Sequence, residues 1–153
     1  MDQEWKETLE LTMVLNAIFV GYLAVLGLVD IKKIVIDIRL LLAGFVPAAL
    51  LAAVSTSMTE AVGGILIGAV FLVIAVLTKE QIGKADGLVI CQTGLAAGFG
   101  GCIFVIGVAF IIVLPCVIFL MIFRKAGRKT RIPFLPFIFS GFLVYAIMGL
   151  IGK

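Results

Sequence analysis

Apolar residues in this chain fall in long blocks separated by short polar stretches. The first block, Leu11–Val29, ends at Asp30 and the charged stretch Ile31–Arg39. A second runs from about Leu40 to Val54, and Pro47 inside it predicts a kink. The polar segment Ser55-Thr-Ser-Met-Thr-Glu60 is short enough to be a turn before the third block, Ala61–Leu77. After the polar stretch Thr78–Asp86 comes Gly87–Phe123, which carries no charge. At about 37 residues it is too long for one membrane crossing of about 20 and right for two. The Gly98-Phe-Gly-Gly101 cluster is the natural turn, giving spans over 87–99 and 102–123, with Pro115 predicting a kink in the second. The basic segment Arg124–Arg131 separates these from a last block, Pro133–Gly152. The pattern predicts an all-α membrane protein, a polytopic bundle of about six transmembrane helices forming one integral-membrane domain over residues 1–153.

Composition agrees and narrows the chemistry. Of 153 residues, 63% are hydrophobic and 14% charged, and the mean hydropathy is +1.32. Soluble domains carry about 45–50% apolar and about 25% charged residues. Six spans leave about 33 residues for loops and termini, too few for a separate soluble domain. Chemistry must then lie inside the membrane or within a few residues of its surface. The absence of histidine excludes imidazole catalysis and histidine metal sites. Cys91, Cys102 and Cys116 are widely spaced in apolar surroundings, form no C-x-x-C pair, and read as buried structural thiols; no metal site is expected. The acidic N-terminus is unlike the basic start of a cleaved signal peptide, so the first block reads as a permanent span.

Charge sets the expected topology. Lys32, Lys33, Arg39, Lys79, Lys84, Arg124, Lys125, Arg128, Lys129 and Arg131 all follow spans one, three and five, leaving only Lys6 and Lys153 elsewhere. With six spans those three loops share one side, which the positive-inside rule makes cytoplasmic, and both termini become non-cytoplasmic. The net charge of +3 therefore speaks for topology and not for nucleic-acid binding. Gly64/Gly68 and Gly94/Gly98 have the four-residue spacing that lets membrane helices approach closely.

Two acidic residues stand out. Asp30 directly follows the first span and Asp86 directly precedes the fourth, which puts both at the cytoplasmic edge on different helices. Paired carboxyls suit water-mediated peptide hydrolysis. Held a few ångströms apart they share one proton, so one activates water while the other polarises the scissile carbonyl. Plainer roles exist for each: Asp86 as a helix N-cap, Asp30 as an interfacial charge beside Lys32 or Lys33. Asp37 is a rival for Asp30, and Glu80 a weaker one for Asp86.

Three segments resemble the type IV prepilin peptidase family of intramembrane aspartyl proteases. Asp30-Ile-Lys-Lys-Ile-Val-Ile-Asp-Ile-Arg-Leu-Leu-Leu42 is similar to that family's aspartate followed by a basic stretch, an isoleucine six residues on, and the start of a second helix. Gly83-Lys-Ala-Asp86 is similar to its G-x-G-D motif. Arg128-Lys-Thr-Arg-Ile-Pro-Phe-Leu-Pro-Phe137 is similar to the basic, proline-containing start of its last helix. The chain departs from the pattern in that Ala85 replaces the second glycine, Leu88 stands where a lysine is frequent, and Asp37-Ile38 replaces Pro-Asn.

The resemblance implies that Asp30 and Asp86 are the catalytic pair and that Gly83 lets the backbone turn tightly beside the second. It implies a short, protease-only form without cofactor or N-methyltransferase activity, in a bacterial or archaeal cytoplasmic membrane. The expected partner is a membrane-inserted prepilin or pseudopilin-like substrate whose short leader is removed at the cytoplasmic face, in contact with lipid and without nucleic acid. A catalytically inactive scaffold or assembly factor of a pilus or secretion system, and less so a proton-coupled transporter, are the alternatives.

Overall fold

The computed structural model describes residues 2–33, 36–77, 83–123 and 133–151. Among them every regular element is an α-helix: α1 (Asp2–Lys33), α2 (Ile38–Ala43), α3 (Phe45–Ser55), α4 (Met58–Leu77), α5 (Lys84–Phe123) and α6 (Leu135–Ile151). Four stretches are long and apolar enough to cross a membrane: Gln3–Lys32, Ile38–Ser55, Met58–Leu77 and Lys84–Phe123. The apolar α6 is shorter. Large hydrophobics such as Leu28, Val46, Leu66, Ile111 and Ile122 are exposed on every long helix. A surface this apolar is untenable in water and is what a bilayer solvates.

The core is a thin seam where the helices touch. Leu15, Phe19, Leu23 and Leu26 lie on one face of α1 and meet Leu135, Ile138 and Phe142 of α6, with Leu41, Ala48, Leu51, Val89, Ile90 and Val105 completing the cluster. Phe19 and Phe142 make an edge-to-face pair with ring centroids 4.8 Å apart, while Gly27 sits against Pro136. The helices α1 and α6 are therefore antiparallel. Gly141 of α6 packs on the Val105 carbonyl and Phe134 on Phe110, so α6 is also antiparallel to the second half of α5.

The helix α5 is two helices folded back on each other. Gly98, with φ 72° and ψ −174°, is its one residue outside helical dihedrals, a backbone region open to glycine at little cost. Beyond it the chain reverses: the Cys102 thiol lies 3.9 Å from the Ile90 carbonyl, a pair about 18 Å apart in a continuous helix. Residues 84–97 form one arm and 99–123 the other. Reversal strands backbone groups at both new ends, and side chains from other helices meet them. Thr56 donates to the Ala96 carbonyl at 3.1 Å and Tyr145 to that of Ala97 at 3.4 Å. The Glu60 carboxylate accepts from the amides of Phe99 at 3.0 Å and Gly100 at 3.4 Å.

The first arm runs antiparallel to α4 at very short range. A Cβ on Gly64 would strike the Gly94 backbone and the reverse, and one on Gly68 would strike Cys91. The small residues thus act as spacers between helices, with Gly98 reserved for the turn. The second apolar block does break just ahead of its proline. The break in the second apolar block falls at Gly44, between α2 and α3, and not at Pro47, the third residue of α3. A proline clashes with the carbonyl four residues back, here Ala43, so it ends the preceding helix instead of bending its own. Pro115 keeps helical dihedrals within α5. Of the cysteines, Cys91 and Cys102 are buried, but Cys116 is exposed. It lines an open recess together with Ile31, Pro133 and Pro136.

Candidate functional site

Asp30 lies in the last turn of α1, half-buried, with its Oδ2 shielded from solvent. Its helix end is fixed by α6, because Gly27 leaves room for the Pro136 ring to close onto α1. Pro136 itself sits in the first turn of α6, where a missing amide proton costs nothing. Asp86 lies in the first turn of α5, also half-buried. The Gly83 carbonyl accepts from the Asp86 amide at 3.0 Å and from the Gly87 amide at 3.4 Å, which starts the helix.

Gly83 and Asp86 are in direct proximity. A Cβ at position 83 would lie 3.0 Å from the Asp86 Oδ2. Gly98 is the positive-φ glycine among the described residues, so Gly83 is explained by closeness and not by a tight-turn conformation. Ala85, the second residue of α5, packs against the core cluster and has a helical backbone. Such a backbone does not require glycine.

The rival acids divide cleanly. Asp37 is exposed and its carboxylate accepts from the Arg39 amide at 3.0 Å, capping α2. That arrangement is a standard helix start and gives Asp37 a structural occupation. Glu80 and the basic segment Arg124–Arg131 lie outside the described residues.

A polar node joins the elements that carry the two aspartates. In an unbroken helix the Leu41 carbonyl would accept from the Phe45 amide, but the break at Gly44 intervenes. Its donors are side chains. Tyr22 of α1 donates to Leu41 at 2.9 Å, with the Leu40 carbonyl also in reach at 3.2 Å. Gln92 of α5 donates to the same Leu41 oxygen through Nε2. Gly44 is where the Tyr22 ring closes down, and any Cβ there would overlap it. Gln92 is fully buried, and only its NH2 group can face a carbonyl, which fixes the orientation of the amide.

The node sets relative depth. α1 is antiparallel to α6, α6 to the second arm of α5, and that arm to the first, so α1 and the first arm run oppositely. Asp30 lies eight residues beyond Tyr22, about 12 Å along the axis, and Asp86 six residues before Gln92, about 9 Å. Both displacements point to the same end of the bundle. An apolar recess of about 550 Å³, lined by Ile31, Pro115, Cys116, Phe119, Pro133 and Pro136, opens beside the Asp30 end of α1.

No known protein family matches the chain, and neither do any curated protein or solved structure to which it was compared.

Tyr22, Gln92 and Glu60 do not stand out in the sequence reading. Gln92 does carry a signal: a primary amide inside the uncharged run Gly87–Phe123 is expensive in a membrane unless it has a partner. Tyr22 has no comparable mark, since a tyrosine near a span end is ordinary. Glu60 looks like a solvated turn residue until the α5 reversal brings stranded amides to it.

Proposed function

We propose that the protein is an intramembrane aspartic endopeptidase in which Asp30 and Asp86 form the catalytic pair. Its substrate is a prepilin-like, membrane-inserted chain, and its product is the mature chain freed of a short leader at the cytoplasmic face. The observation that carries this reading is that two half-buried carboxylates lie toward the same end of the bundle, on helices tied through one carbonyl. Asp37, the nearest competitor, is engaged in capping α2. Six crossings with both termini non-cytoplasmic complete the proposal, the two arms of α5 counting separately.

The chemistry follows from two carboxyls sharing one proton. The ionised one removes a proton from a water molecule whose oxygen attacks the scissile carbonyl carbon. The protonated one gives its proton to the carbonyl oxygen as the C=O bond becomes a C–O single bond. Collapse of the resulting gem-diol breaks the C–N bond as one hydroxyl gives its proton to the ionised carboxylate and the other carboxyl gives its proton to the leaving amine. The pair titrates as a unit. A substrate helix held in the bilayer supplies orientation, and the recess beside Asp30 is open to the bilayer from which it would arrive. Glycine at the cut favours the local unwinding that exposes the peptide.

Asp30→Asn and Asp86→Asn, each co-expressed with a prepilin-like protein carrying a basic leader and a glycine before its apolar helix, are expected to abolish leader removal on a mobility gel. Asp37→Asn is expected to leave cleavage intact. Cleavage by either of the first two variants would remove that residue from the mechanism.

A further inference from the structure

We infer that the Leu41 carbonyl is a registration point between the Asp30 helix and the Asp86 helix, and that Gln92 and Tyr22 are its positioning residues. The inference deepens the peptidase reading and rests on it only for the catalytic consequence. The geometric claim stands by itself.

Few direct contacts link α1 with α5, whereas α4 and α6 pack extensively on α5. What joins α1 to the first arm is the backbone between them. The break at Gly44 withdraws the Phe45 amide from the Leu41 carbonyl, and Tyr22 and Gln92 both donate to that oxygen. A carbonyl with two lone pairs accepts both donors at once. In a low-dielectric interior these bonds have no water to replace them, so the donors hold their distance to the oxygen and hence to each other. Gly44 is what permits it, since any side chain there would expel the Tyr22 ring.

Gln92 cannot touch substrate, because it is fully buried and about 9 Å along the helix from Asp86. Its effect is on where Asp86 stands relative to Asp30. Removing one donor leaves the other. Removing both leaves the carbonyl without a side-chain donor and the two helices free to slide, so the two losses compound.

The test uses the full chain in a Cys116→Ala background, with spin labels on cysteines at Lys32 and Lys84, both exposed. The variants are Gln92→Met, which keeps length and removes the donor, Tyr22→Phe, and the pair together. Electron–electron distance measurements are expected to give one narrow distribution for the parent, a broader one for each single variant, and a shifted one for the double. Ile138→Val, a core truncation that removes no donor to the Leu41 carbonyl, is expected to leave the distribution unchanged. Leader removal at saturating substrate should fall about tenfold in Gln92→Met, with KM within about twofold, as displaced catalytic groups lower turnover rather than binding. An unchanged distribution in Gln92→Met and in the double variant overturns the inference. Should Gln92→Met fail to fold, Tyr22→Phe decides by the same distance. Should the parent cleave nothing, the peptidase reading fails while the distances still decide the registration.

Discussion

Gly83 shows how a single atom's worth of space can be the functional content of a residue. Nothing in its backbone calls for glycine, yet a methyl group at that position would press within 3.0 Å of the Asp86 Oδ2. The carboxyl is the end of a flexible side chain, so it yields by a few tenths of an ångström instead of forcing the helix apart. Gly83→Ala is therefore expected to fold with an unchanged melting temperature and unchanged helical circular dichroism. Its turnover on a prepilin-like substrate is expected to drop by about three- to tenfold, given that a misplacement of about 1 Å can cost about a hundredfold. An equal drop in thermal stability would show the glycine to be structural. The neighbouring Ala85 marks the contrast, because it packs against the core on a helical backbone where a glycine would only add flexibility.

At the scale of elements, the reversal within α5 is the part of the fold most legible in the sequence. Gly87–Phe123 is too long for one crossing, and its glycine cluster coincides with the turn at Gly98. What stabilises the turn was not legible, because it depends on which helices come to lie beside it. Thr56, Glu60 and Tyr145 are far from Gly98 in sequence, and their bonds exist only once α3, α4 and α6 are packed. The node at Leu41 was hidden for the same reason: its acceptor becomes available through a helix break whose position depends on Pro47 and on the Tyr22 ring. Asp30 and Asp86 were visible because apolar blocks border them, but their placement toward one end of the bundle required the antiparallel order of four helices. Glu60 gives the element-scale prediction. Its carboxylate serves two amides at the start of the second arm, the work of an N-cap supplied from another helix, and losing such a cap costs about 0.5–2 kcal/mol. Glu60→Ala should lower thermal stability by that amount in detergent, whereas Glu60→Gln, which keeps an acceptor oxygen, should recover most of it. Equal stability of Glu60→Ala and the parent would mean that water caps the arm instead.

For the whole molecule, the question that matters is whether the first arm of α5 counts as a crossing. With 14 residues it is about 21 Å long, short of a hydrocarbon layer of about 30 Å. Length alone would make it a re-entrant segment; its neighbours support the proposed crossing. Its tip meets Thr56 and Glu60, the polar turn that separates α3 from α4, so it reaches the surface at which α4 begins. Its base, by contrast, packs Gly87 against Leu72 near the far end of α4. The arm thus runs beside about two thirds of α4, a helix of 20 residues and about 30 Å, with its tip at the end where α4 begins. The proposed six crossings, with both arms counted, would leave Trp5 and Ile151, both exposed, on one side of the membrane and Arg39 on the other. In a Cys116→Ala background, Trp5→Cys and Ile151→Cys should each react with a membrane-impermeant maleimide in intact cells, and Arg39→Cys only after permeabilisation. Opposite behaviour of Trp5→Cys and Ile151→Cys would mean five crossings. The two arms would then count as one passage, and the basic loops that the positive-inside rule assigns to a single face would be divided between two.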